Sequence, residues 1–282
     1  MASKDQASFA ARVIGAASQG AAGAMVAAAL SAVTEPIVNR VLVKRIPLTE
    51  AMKEVDVATI KRFFNTTITT NFIKFPFFEV INMIMSGVSL PASGRGAVLG
   101  AVFTTATLPI TNYRYCKSVG LPVDANALYK AYLPTVIRDI VYGIARNNVY
   151  SSLLASYPEL AKSAGGKFML MFLTVLASCL ISAPGNELRG YYLQPEGKRQ
   201  SFSKFFKPHK FVRSTAVGAL IMSTALGFGT LATEPAKALV EKVKNYFSDN
   251  PLAVVIIAAL VVHESRAAAR HAELFEAKKK NE

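Results

Sequence analysis

With 282 residues, 52% of them hydrophobic and 18% charged, and a mean hydropathy of +0.32, the chain has the makings of a small polytopic membrane protein. The formal charge of +14 sits in short segments between apolar runs, so membrane topology rather than nucleic acid accounts for it. Two scattered cysteines, Cys116 and Cys179, exclude a disulfide framework, and neither a metal-ligand cluster around His209, His263 or His271 nor a nucleophile–base set points to an enzyme.

Six apolar runs follow in order, at 13–33, 63–86, 97–110, 133–155, 168–183 and 215–232. A bilayer core of about 30 Å takes about 20 helical residues, so with their flanks these runs predict an all-α membrane protein of six tilted helices. Basic residues crowd the first, third and fifth connections, from Arg40 to Arg62, at Arg114, Lys117 and Lys130, and from Arg189 to Arg213. The opposite side offers only Lys4, Arg12, Arg95, Lys162 and Lys167 before the C-terminal tail, which sets the orientation. Asp5 and the Ala/Gly-rich start argue against a cleaved transit peptide.

Three prolines are expected to stop or bend the first, third and fifth helices in similar words: Pro36-Ile-Val-Asn39-Arg40, Pro109-Ile-Thr-Asn112-Tyr-Arg114 and Pro184-Gly-Asn186-Glu187-Leu-Arg189. They stand 73 and 75 residues apart (36 to 109, 109 to 184). Each is followed by a basic connection and an even-numbered helix opening at Ile60-Lys61, Leu128-Tyr129-Lys130 or Phe202-Ser203-Lys204. Phe72 to Phe78 lies over Ile144 to Tyr150, which makes Lys74 and Arg146 equivalent. A two-helix unit used three times (1–90, 91–160, 161–232) predicts a pseudo-threefold bundle around a central cavity. Small residues, Gly96 and Gly100 in the third helix and Ala16, Gly20 and Gly23 in the first, suit close packing.

The fourth helix carries the chemistry. Arg138, Tyr142, Arg146 and Tyr150 recur every fourth residue and form one polar stripe, with Asp139 beside it. A charge at the bilayer centre costs at least roughly 2.5–3.5 kcal/mol, so the stripe must face the bundle interior. With Lys74 it could line an anion site; equally, Arg138 could pair with Asp139 and lock the bundle. Beyond the sixth helix, 233–282 predicts C-terminal amphipathic helices: a short one over 234–247, a break at Asp249-Asn250-Pro251, and a longer interfacial or partner-docking helix over 252–276.

The three proline motifs, the openings at Tyr129-Lys130 and Phe202 to Lys204, and the Arg138-Asp139 pair resemble the mitochondrial carrier family. The resemblance spans about the first five-sixths of the chain. It implies six helices in the mitochondrial inner membrane, alternating access around a central site, and cardiolipin bound near Tyr129, Lys130, Phe202 and Lys204. The family's signature has an acid two residues after each proline and a base three further on. Here Val38, Thr111 and Asn186 replace the acids, while the basic positions hold Val41, Arg114 and Arg189. The family's second gate, aromatic-acid-x-x-base, keeps only Phe78-Glu79, with Asn82 for the base. The glycine of its aromatic-base-Gly opening is replaced by Arg62, Ala131 and Phe205, and the connections after Pro109 and Pro184 leave little room for the family's extra helix.

The lost gate residues imply a carrier-like protein without transport, serving as an accessory subunit of a respiratory-chain or ATP-synthase assembly. The alternative is a divergent exchanger of a small anion or carboxylate.

Overall fold

The structure, a computed structural model, describes residues 8–43, 48–119, 123–193 and 201–250 and the positions 264 and 266. Among them the chain is all-helical, with no strand. Six long helices carry the architecture: α1 (Phe9–Val43), α3 (Val57–Ser86), α4 (Ala92–Val119), α6 (Tyr132–Ser156), α7 (Ala164–Leu193) and α9 (Pro208–Gly229). Short helices α2 (Leu48–Lys53), α5 (Ala125–Leu128) and α8 (Phe202–Phe205) sit in the basic connections, and α10 (Thr233–Asp249) follows a 3₁₀ turn. The predicted helix over 252–276 lies outside the described residues.

Each long helix packs on the next in chain order, and α9 returns against α1, so the six close into a ring. The most extensive contacts are α1 with α3 and α4 with α6, where small residues let backbones meet. Gly96 and Gly143 face each other so closely that a Cβ on either would collide with the other's carbonyl, and a Cβ on Gly100 would strike the backbone of Asp139. Gly20 likewise meets the backbone at Pro76 in α3.

Large apolar side chains cover much of the outer surface, and hydroxyl groups share the interior with small and apolar residues. Leu133, Ile181, Val212 and Leu220 are exposed, while Thr104, Thr174, Ser178 and Ser223 are buried. The buried hydroxyls are satisfied along their own helices, as in Ser178 Oγ donating to the Thr174 carbonyl at 2.6 Å and Thr174 Oγ1 to that of Leu170 at 2.7 Å. Three stretches, Phe9–Thr34, Ala164–Leu193 and Thr215–Tyr246, are long and apolar enough to cross a membrane. Helices α3, α4 and α6 fall outside that set, although they are 30, 28 and 25 residues long. Their inward faces carry the threonines and the charges that lower their hydropathy.

The prolines do not stop their helices. Pro36, Pro109 and Pro184 lie inside α1, α4 and α7, which run on to Val43, Val119 and Leu193. A proline forfeits one backbone donor and crowds the preceding turn, and a helix held on both sides of it by neighbours continues. The connections also hold more than their length suggested, because α5 and α8 need only four residues each.

At the far end, α10 folds back along the start of α1. Ser8 donates through N (3.2 Å) and Oγ (2.8 Å) to Glu241 Oε1, and Thr233 Oγ1 donates to Gln19 Oε1 at 3.2 Å. The amphipathic helix expected over 234–247 thus matches α10, with Pro235 in its first turn, where its missing N–H costs nothing.

Candidate functional site

Successive turns of α3 and α6 line three partly open cavities in series. The largest, about 330 Å³, is bordered by Lys74, Phe78, Arg138, Tyr142, Cys179 and Asn186, among others. A second, about 150 Å³, shares Lys74, Arg138 and Asp139 with it and adds Thr104, Thr111, Thr135 and Arg189. A third, about 260 Å³, lies at the opposite end and is bordered by Gln19, Asn82, Arg146, Tyr150 and Lys237. Glu79 borders both the largest cavity and this third one.

Arg138, Tyr142 and Arg146 of the α6 stripe face inward while Tyr150 at its end is exposed, and two ion pairs divide the series. In the first, Arg138 grips its neighbour Asp139 through Nε (2.7 Å) and Nη2 (2.6 Å), while its Nη1 donates to Asn186 Oδ1 on α7 at 3.0 Å. The second Asp139 oxygen accepts from Thr104 Oγ1 on α4 at 2.5 Å. One carboxylate and one guanidinium therefore tie α4, α6 and α7 together.

The second pair joins residues that the sequence separates by 67 positions. Arg146 Nη2 reaches both Glu79 oxygens at 2.8 Å, with side chains 3% and 4% exposed. The guanidinium lies 4.8 Å from the centre of the Phe78 ring and its Nη2 is 3.6 Å from Met171 Sδ. Gln19 Nε2 also reaches Glu79 at 3.4 Å, so α1, α3, α6 and α7 meet at this buried ion pair. Arg146 borders the 260 Å³ cavity and not the largest one, where Lys74 and Tyr142 stand; the equivalence of Lys74 and Arg146 in sequence does not place them in one chamber.

At two of the positions where the carrier signature has an acid, an uncharged side chain accepts a hydrogen bond from a cation. Lys74 Nζ donates to Thr111 Oγ1 (3.2 Å) and sits 5.5 Å from the Phe103 ring centre, and Arg138 donates to Asn186. In both cases a cation from an even-numbered long helix meets the residue two after the proline of the next. Arg189 Nη2 crosses to Asn112 Oδ1 at 3.3 Å, and the Asn112 amide satisfies the carbonyls of Leu128 (3.0 Å) and Lys130 (2.9 Å). Amides and hydroxyls thus accept from these cations where the carrier signature has carboxylates. Pro36 is fully buried, and the side chain of Arg114 lies outside the described residues.

The chain just before α6 is held in an unusual backbone. Ala131 has φ 57° and ψ 31°, in the left-handed region, directly after the exposed Tyr129 and the half-buried Lys130. Its position is the one at which the carrier motif has glycine. Phe202 meets Tyr191 edge to face (5.4 Å) and stacks with Phe206 (5.9 Å), and Lys204 is exposed beside it. Gln19, Thr104, Asn112 and Met171 complete the site without any sequence signal beyond their polarity or helix position.

The fold and this site define a helical membrane protein whose inner wall is cross-linked by buried charged and polar side chains. No protein-family model, curated protein or solved structure matches the chain.

Proposed function

We propose that the chain is a carrier-like six-span bundle of the mitochondrial inner membrane, built from three two-helix units, that has given up transport. It serves as a structural accessory subunit of a respiratory-chain or ATP-synthase assembly, with cardiolipin at the openings of α6 and α9. The single observation that carries this reading is the engagement of the cavity's cations by the bundle itself: Arg146 by Glu79, Arg138 by Asp139 and Asn186, Lys74 by Thr111. A carrier offers such cations to its substrate and exchanges gate pairs as it alternates, which requires two arrangements of similar energy. Here Lys74–Thr111 and Arg138–Asn186 join neighbouring helices, Arg146–Glu79 spans the ring from α6 to α3, and together they favour one arrangement. The repeated wiring from an even helix to the residue two after the next proline supports the two-helix unit.

A second reading, exchange of a small anion, draws support from the three cavities in series and from the cations Lys74, Arg138 and Arg189 around the smallest of them. Uptake of labelled phosphate and of short mono- and dicarboxylates into vesicles holding the purified chain separates the two. The structural reading expects no uptake above empty vesicles. Saturable uptake that Arg138→Ala abolishes, with the fold intact, establishes the exchanger instead.

A further inference from the structure

We infer that the outer face of α10 is a docking surface for an amphipathic helix of a partner subunit, which sets a carboxylate against Lys242. The inference rests on the accessory-subunit reading and supplies it with an interface. The apolar stretch Thr215–Tyr246 is 32 residues long, about 48 Å of helix, against a bilayer core of about 30 Å. Its excess lies at the α10 end, where Glu234, Lys237, Glu241, Lys242 and Lys244 are gathered. The backbone stays helical through the turn Thr230–Ala232, and α10 stands antiparallel to the first turns of α1. Thr233 meets Gln19, Lys237 meets Gly15 and Glu241 meets Ser8. An amphipathic helix that rests on lipid lies in the membrane plane; this one rises from it beside α1, so its free face looks into water.

Only one side of α10 is covered. Ala236, Lys237, Val240 and Glu241 are half-buried, whereas Leu239, Val243 and Tyr246 are 62%, 44% and 57% exposed. With the exposed Lys242 these three stand at i, i+3, i+4 and i+7, the spacing by which one helix reads another. Lys237 is held by Glu234 at 3.1 Å and Lys244 lies 3.8 Å from Glu241, but Lys242 makes no ion pair among the described residues.

That cation, set within the apolar stripe, selects the occupant. Two copies of this chain pairing through the stripe in antiparallel fashion would bring Lys242 against Lys242 near the two-fold axis, and like charges there disfavour the pair. The chain's own continuation carries no acid from Pro251 to His263, so folding back along α10 it would bring none level with Lys242. A partner helix with apolar residues at the matching spacing and an Asp or Glu opposite Lys242 satisfies both the stripe and the charge.

The test uses the tagged full chain in its mitochondrial membranes. A carbodiimide condenses a lysine amine with a carboxylate to an amide, the reagent taking up the water as a urea, and peptide mass spectrometry locates the link. Samples are also extracted in mild detergent and run on a native gel. The stripe variant Leu239→Glu/Val243→Glu changes only exposed positions, and its melting temperature after purification is checked against wild type; Lys162→Gln, also exposed, is the control.

The expected result is wild type within a large assembly and Lys242 linked to a carboxylate of another subunit, in a segment whose apolar residues recur at helical spacing. The stripe variant, melting as wild type does, loses that link and leaves the assembly, its bound fraction falling at least tenfold, while the control behaves as wild type. The inference is overturned, with the accessory-subunit reading intact, if the stripe variant stays in the assembly. The same holds if Lys242 forms no link, or links only to carboxylates of this chain. Wild type migrating alone overturns both.

Discussion

Removing one member of the Glu79–Arg146 pair while leaving the other is the sharpest perturbation of this fold. At 2.8 Å, and with an effective dielectric constant of about 20, the direct attraction is about 6 kcal/mol, against a desolvation cost of several kcal/mol per ion. Its net contribution is therefore small, but the cost of orphaning either charge is not. Glu79→Ala leaves a guanidinium 2% exposed beside Phe78 and Met171; Arg146→Ala leaves a carboxylate whose remaining donor is Gln19 at 3.4 Å.

Each single variant is expected to lose about 3–5 kcal/mol, whereas Glu79→Met/Arg146→Met, which fills the volume without charge, should lie within about 1 kcal/mol of wild type or above it. The assay is reversible denaturation in mixed micelles, read by circular dichroism, with the single variants Glu79→Met and Arg146→Met closing the double-mutant cycle. Single variants that cost less than about 1 kcal/mol, or a double variant as unstable as the sum of the singles, would refute the reasoning.

Two backbone predictions follow from the glycines and from the residue that replaces one. Ala131→Gly should raise stability by about 0.5–1 kcal/mol, since a left-handed alanine costs about 1–2 kcal/mol and glycine returns part of that as unfolded-state entropy; a lowered melting temperature would contradict it. Gly96→Ala should cost about 1–3 kcal/mol by forcing α4 off Gly143, while Gly218→Ala, where a Cβ meets nothing within 4 Å, should be neutral or gain up to about 1 kcal/mol, both read from melting midpoints.

The helices and their inward faces were legible because helical period and bilayer thickness act along the chain. Arg138, Tyr142 and Arg146 had to share a face by spacing alone, and they line the interior. The helix ends were less legible. The polar residues after Pro36, Pro109 and Pro184 read as loop, yet neighbouring helices hold those turns in place. Partnerships across the ring were not legible: Glu79 and Arg146 belong to different motif positions, and only the closing of the ring, which sets α3 across from α6, brings them together. Asn112 holding the carbonyls before α6 is of the same kind, since an asparagine in a helix gives no hint of which loop it will cap.

The proposed role as an accessory subunit is tested most directly by the size of the native protein after mild detergent extraction of mitochondria, followed through a small tag on a native gel. Migration with an assembly many times the 30.3 kDa of the chain is the expected result. Migration as a lone detergent-bound monomer, under conditions that keep the respiratory complexes and ATP synthase intact, would contradict it.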